Sequence, residues 1–119
     1  MANPNIVSVA TIRGKTDSGN LSATYTTALV TNSAASGIVY KINSIVVTNV
    51  AGTDTTFRIS FYDGTTDRFL AYNVTCPANT VVIVTDKNSS LYLEEGDSIR
   101  GGAATTSRLD YVISYETIA

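Results

Sequence analysis

The densest group of residues able to do chemistry is the stretch "LYLEEGDSIR", Leu91 to Arg100, where Glu94, Glu95 and Asp97 surround Gly96. Clustered carboxylates can hold a divalent cation or move protons. A carboxylate acting as a general acid needs a partner group and a pocket that shifts its pKa. Glu94 and Glu95 are neighbours in sequence, so on an extended chain they point to opposite faces and cannot act as a pair. Gly96 tolerates a positive φ, and Asp97 suits a turn whose side chain accepts from local amides. Leu91, Leu93 and Ile99 flank the acids as core residues would. The segment is therefore predicted to be a strand, a turn and a second strand, with the acids shaping the corner.

Other candidates are weaker. "GKT" at Gly14 to Thr16 resembles the end of a phosphate-binding loop, but Val9 stands where the motif needs its first glycine and no helix is predicted to follow. Asp54, Asp63 and Asp67 lie in or beside turns, at spacings that match no calcium loop, and are expected to be turn-forming and solvated. Cys76 has no cation beside it in sequence to stabilise a thiolate and is expected to be a small buried side chain. The chain contains no histidine, which removes the usual serine and cysteine triads, and no "GxSxG" elbow occurs. A serine–lysine pair would have to use Lys15, Lys41 or Lys87, none of them in a recognisable motif. Zinc catalysis is disfavoured by the same composition. No catalytic, cofactor-binding or metal-binding residue is assigned, no cofactor is expected, and the chain is not expected to be an enzyme.

Seven tyrosines remain. Tyr62 and Tyr72 fall on the two strands of one expected hairpin. Such a pair serves cross-strand stabilisation or a subunit contact more often than a glycan-stacking platform. Both are taken as candidate interface residues, together with Asn3, Pro4, Asn5 and Ile6 of the opening stretch. That stretch reads either as a first strand or as an arm lying on a neighbouring subunit.

The elements that must position these residues are strands. At 119 residues the chain fits a single domain, since one core usually serves roughly 100–200 residues. The clearest two-residue period is in "TTFRISFYDGTTDRFLAYN": Phe57, Ile59 and Phe61 alternate with Arg58, Ser60 and Tyr62. Asp63-Gly64 supplies a hairpin turn, with Phe69 to Asn73 returning. "IVYKINSIVVTNV", "TVVIVT" and "LDYVISYE" read as further strands, the first with room for a bulge. "NIVSVATIR" and "ATYTTALVT" read as two more, joined by the polar loop "GKTDSGN". About eight short strands with frequent turn signals and no amphipathic helix indicate an all-β, antiparallel sandwich of jelly-roll type.

The remaining composition narrows the partners. Net charge is −2 and charged residues make up 15% of the chain, too balanced for nucleic acid or an anionic membrane surface. A single cysteine forms no internal disulfide. The N-terminus lacks a secretory signal pattern, and no apolar run reaches the roughly 18 residues needed to span a bilayer. An intracellular product, or one released by lysis, is expected, with the sequons at Asn20, Asn73 and Asn88 free of sugar.

Three stretches together resemble a family of small structural proteins of tailed bacteriophages, of the type found in marine cyanophages. They are the opening "MANPNIVSVATIRGKT", the step "ASGIVYKINSIVVTN", and "CPANTVVIVTDKNSSLYLEEGDSIR" followed by "LDYVISYE". The resemblance spans nearly the whole chain and is most specific in "LYLEEGDSIR". It implies a β-sandwich virion structural protein, most plausibly a capsid decoration or cement protein. Its partner would be the major capsid protein or another virion protein, and its location the virion, after synthesis in the host bacterial cytoplasm. A homo-oligomer is expected, with a trimer favoured by the three-fold positions of a capsid. The alternative is a tail- or fibre-associated module that binds a host glycan or protein.

Overall fold

The computed structural model describes residues 11–119. Nine strands account for most of it: β1 (Ile12–Asn20), β2 (Ala28–Thr31), β3 (Val39–Asn49), β4 (Thr55–Tyr62), β5 (Asp67–Cys76), β6 (Val81–Thr85), β7 (Leu91–Leu93), β8 (Ser98–Ala103) and β9 (Leu109–Ile118). They form two antiparallel sheets packed as a sandwich. The first has the order β1-β9-β3-β6, with β7 also on β3; the second has the order β2-β8-β4-β5.

The nine strands reduce to the expected eight because β6 and β7 are two halves of one edge. β6 pairs with the Ile45–Thr48 part of β3 and β7 with its Tyr40–Ile42 part, both antiparallel. A short 3-10 turn at Lys87–Ser89 interrupts them, capped by Asp86, whose side chain accepts from the Asn88 amide.

Alternation builds the core. Ile42, Ile45 and Val47 of β3, Phe57 and Ile59 of β4, Ile99 of β8, and Leu109 and Ile113 of β9 are fully buried between the sheets. Each such side chain contributes about 1.5–3 kcal/mol relative to exposure. Cys76 is buried with them.

Two buried asparagines hold the ends of the sandwich. Asn32 donates to the Ile38 and Leu93 carbonyls at 2.7 and 3.0 Å and accepts from the Ser36 hydroxyl at 2.6 Å. Asn49 donates to the Thr53 and Cys76 carbonyls at 2.8 and 3.0 Å and accepts from the Ala51 amide at 2.9 Å. Each side chain stands in for backbone pairing where the strands have run out.

Three expectations need correction. "GKTDSGN" is not a loop but most of β1, paired with β9 from Ile12↔Ile118 to Asn20↔Asp110. Its residues are nearly all exposed, so the backbone ladder, helped by side-chain bonds that join Asp17 and Asn20 to β9, makes the strand and no apolar period announces it. "ATYTTALVT" is a strand only over Ala28–Thr31; Ser22 to Thr27 form a loop tied by hydroxyl and carbonyl bonds among Ser22, Thr24 and Thr27. The hairpin turn is wider than Asp63-Gly64: Asp63 Oδ1 accepts from the Thr65 and Thr66 amides, and β5 begins at Asp67. The bulge expected in β3 lies between Ile42 and Ser44.

Candidate functional site

The acidic corner is a strand, a turn and a second strand, as its sequence suggests. It joins β7 in one sheet to β8 in the other, with Gly96 at φ 88°. Asp97 Oδ2 accepts from the Glu94 amide at 2.9 Å, and Glu95 Oε2 accepts from the Gly37 amide at 2.8 Å. The Asn32 backbone bonds both Gly96 and Asp97. Burial pushes the Asp97 carboxyl above its ordinary pKa; the Glu94 amide opposes the rise, and the charges of Glu94 and Asp63 add to it. Asp97 and one oxygen of Glu95 are thus occupied with backbone amides, while Glu95 Oε1 is buried without a partner among the described residues. Among the described residues no group of three or more potential ligands is placed to hold a metal ion.

The richer chemistry lies on the outer face of the second sheet, where two arginines each lie against tyrosine. Arg100 of β8 sits 3.9 Å from the Tyr62 ring centroid and bridges to Asp67 at 3.0 Å. Asp67 also accepts from the Ser60 hydroxyl at 3.0 Å. The arginine and aspartate side chains are only 16% and 25% exposed, so their charges are largely withdrawn from water and balance each other. Arg100 Nε is buried without a partner among the described residues.

Arg58 of β4 is arranged differently. Its central carbon lies 4.2 Å from the Tyr25 ring and 4.5 Å from the Tyr72 ring, and its Nε donates to Asn73 Oδ1 at 2.8 Å. Among the described residues the Arg100–Asp67 pair is the only salt bridge, so no carboxylate neutralises Arg58. Phe69 meets Tyr72 edge-on, with centroids 4.8 Å apart. Tyr72 and Phe69 are 55% and 47% exposed, and Leu70 beside them is exposed too.

Two local features assemble this group. The first is a pair of bulges in β5. Ser60 faces Phe69 while Ile59 faces Ala71, leaving Leu70 extra; a second extra residue falls between Ala71 and Val74, where Asn73 takes φ 51°. Strict alternation would send Phe69 and Tyr72 to opposite faces, and the Leu70 bulge brings them to one. The second is Gly102, which pairs with Arg58 across the β8–β4 ladder. A Cβ there would fall 2.5 Å from the Thr24 carbonyl oxygen and 2.9 Å from that of Ser22. Its absence lets the Ser22–Thr27 loop cross close over β8 and lay Tyr25 against Arg58.

Of the candidate interface residues, Tyr62 and Tyr72 share this outer face but are not partners. Tyr62 stands opposite Asp67 and stacks with Arg100, whereas Tyr72 stacks with Arg58. Asn3, Pro4, Asn5 and Ile6 lie outside the described residues. Gly14 to Thr16 are on β1, where Gly14 and Lys15 line a groove with Arg13, Ile38 and Tyr40. Asp63 caps amides of its own turn as expected, whereas Asp54 accepts from the Ala78 amide between β5 and β6 and Asp67 is ion-paired rather than merely solvated. Tyr25, Arg58, Phe69 and Asn73 were not singled out by the sequence. Only Arg58 carried a signal, through its outward phase beside Phe57 and Ile59.

No protein-family model matches the chain, and no curated protein sequence matches it. Among solved structures, it is similar to a subunit of Bacillus endospore appendages, described as a novel family of disulfide-linked pili. The identity is 13%, with 99% of this chain and 96% of that one covered and a TM-score of 0.53. A pentameric capsid protein from metagenomic phage sequences matches at 15% identity and TM-score 0.43, covering 85% of this chain and 60% of that one. At these identities the likeness is one of fold. The narrower resemblance to the marine cyanophage type finds no support in these comparisons. No helix among the described residues is long and apolar enough to cross a membrane.

Proposed function

We propose that the chain is a bacteriophage virion structural protein, without catalytic activity, that assembles in many copies. The strand orders β1-β9-β3-β6 and β2-β8-β4-β5 support naming the sandwich a jelly roll, in which two Greek keys wind together, an architecture common in viral capsid domains.

The observation that carries the proposal is surface left uncovered in the first sheet. Its edge strand β1 runs nine residues, and among the described residues no strand pairs with its outer side. At the opposite edge, Val81 and Ile83 of β6 are 54% and 61% exposed. Ile83 continues a cross-strand row through Val46 to exposed Val112. Open edges and contiguous apolar rows are aggregation hazards unless a partner covers them. Repeated neighbours in an assembly cover them productively. Within this reading the protein sits on the capsid shell as a decoration or cement protein, bound to the major capsid protein and to copies of itself, with a trimer as the favoured state. Binding would sum many weak contacts.

A second reading, a tail- or fibre-associated module that recognises a host glycan or protein, is favoured by the exposed Tyr72–Phe69 platform beside Arg58. Quantitative mass spectrometry of purified virions separates the two. A copy number comparable to the major capsid protein is expected. A ratio lower by an order of magnitude would move the protein to the tail or fibres, and its absence from virions would overturn both. Virions lacking the protein should lose heat or osmotic stability if it cements the shell.

A further inference from the structure

We propose that the Arg58 side of the second sheet is a binding site for a carboxylate-bearing saccharide. The carboxylate meets the free edge of the Arg58 guanidinium, and the sugar ring lies on the Tyr72–Phe69 platform.

The argument begins with which donors remain. Arg58 lies in β4, between the Ser22–Thr27 loop over β8 on one side and β5 on the other, so its planar group is flanked by Tyr25 and Tyr72. Its Nε is committed to Asn73 Oδ1. Among the described residues nothing accepts from its terminal N–H groups, so what is left is the outer edge, held in one orientation by the stacking. Two parallel N–H donors in a fixed fork match the two oxygens of a carboxylate. A guanidinium fixed in this way loses little further side-chain freedom when it binds.

Charge points the same way. Arg100, on the same face, has Asp67, and Arg58 has no acid. The fold thus holds one arginine closed and leaves the other's charge open.

The apolar component selects the rest of the ligand. Phe69 and Tyr72 meet at 75°, giving an exposed aromatic surface next to the cation. The C–H face of a pyranose packs on such a surface, and the Asn73 amide N–H₂ can donate to its hydroxyls. A uronic acid places its carboxylate on the ring carrying that face, so one residue reaches both parts of the site. The platform is open rather than enclosed, which suits one unit of a polymer. Affinity per site is weak, and repetition over many copies makes it effective. This inference rests on the second functional reading and does not depend on the shell location; its failure would leave the virion proposal standing.

The test uses the intact 119-residue chain titrated with a galacturonic acid hexamer, followed by amide chemical shifts. The control is the same hexamer as its neutral methyl ester. Saturable binding to the acid is expected, weakening with added salt, with shifts centred on β4, β5 and Tyr25. The ester and Arg58→Gln should each bind at least about tenfold more weakly, the order expected when a charge-assisted pair is lost. Arg58→Lys keeps the charge without the fork and should fall between. Phe69→Ala tests the platform without touching the arginine, and should also weaken binding. The proposal is overturned if the ester binds as well as the acid, or if Arg58→Gln leaves affinity unchanged. Failure of both this hexamer and a sialylated oligosaccharide to bind would overturn it as well. Tighter binding of polyglutamate than of either saccharide would assign the site to a protein partner and overturn it too.

Discussion

Arg58 and Arg100 lie on one face of one sheet, on adjacent strands, and each rests on tyrosine, yet they are in opposite states. Arg100 stacks on Tyr62, pairs with Asp67, and is largely shielded from water. Arg58 is flanked by two tyrosines and held by a neutral asparagine, with no acid to balance it. The difference arises from what stands on β5. The start of that strand puts Asp67 opposite Tyr62, whereas its bulged middle puts Tyr72 and Asn73 beside Arg58. The same cation–aromatic contact is therefore a structural lock where a carboxylate closes it and a prepared donor where none does.

The largest effect that bears on this contrast should come from Gly102→Ala. The added Cβ meets backbone oxygens of Thr24 and Ser22, which cannot swing aside as a side chain would. A loss of about 3 kcal/mol is expected, the upper end for overpacking a tight contact. The Ser22–Thr27 loop should lift, taking Tyr25 off Arg58 while leaving the Arg100 cluster in place. Chemical denaturation reads the stability, and amide shifts of Tyr25 and Tyr62 read the asymmetry.

A smaller effect is expected from Asp67→Asn, which removes the carboxylate from Arg100 but keeps the shape. Losing charge-assisted bonds in a half-buried site costs about 1.5–3 kcal/mol. Circular dichroism melts should show a lower midpoint, and the Arg58 cluster should not respond. A melt unchanged from wild type would mean that the closed state of Arg100 has no structural value.

Tyr25→Ala should cost less again, about 0.5–1 kcal/mol, because a cation–aromatic contact at an accessible site is worth no more than that. Its effect belongs in ligand affinity rather than in the melt.

Alkaline pH titrates phenols, and burial raises the pKa of two of them, Tyr111 and, further, Tyr115. Tyr115 donates to Asp17 Oδ2 at 2.8 Å; burial first, then that bond and the aspartate charge, push its pKa well above the ordinary value. The unfolded chain releases this proton near pH 10, while the folded one keeps it. Stability from this group is therefore complete below about pH 10 and declines as pH rises further toward the folded value. Tyr115→Phe should flatten that decline in denaturation curves taken between about pH 9 and 11.

How far these features were legible in the sequence depended on whether a side chain's phase follows from counting. The β4 alternation of Phe57, Ile59 and Phe61 against Arg58, Ser60 and Tyr62 was readable, as was the β9 alternation from Leu109 to Tyr115. The corner at Gly96 was readable because glycine and aspartate carry their turn chemistry locally. β1 was not, since an edge strand held by its backbone ladder and a few polar side chains shows no apolar period. The Arg58 group was hidden for two reasons. Two bulges in β5 break the count that would place Phe69, and Tyr25 arrives on a loop whose path is set by an absent Cβ at Gly102, far along the chain. Long-range steric permission leaves no periodic trace.

The most direct measurement is paired urea denaturation of Arg58→Gln and Arg100→Gln under identical conditions. If one arginine is a lock and the other a prepared donor, Arg100→Gln should lose about 2 kcal/mol, as Asp67 is left without its partner. Arg58→Gln should lose no more than about 1 kcal/mol. Equal losses, or a larger loss at Arg58, would contradict the account by making Arg58 a structural residue like its neighbour.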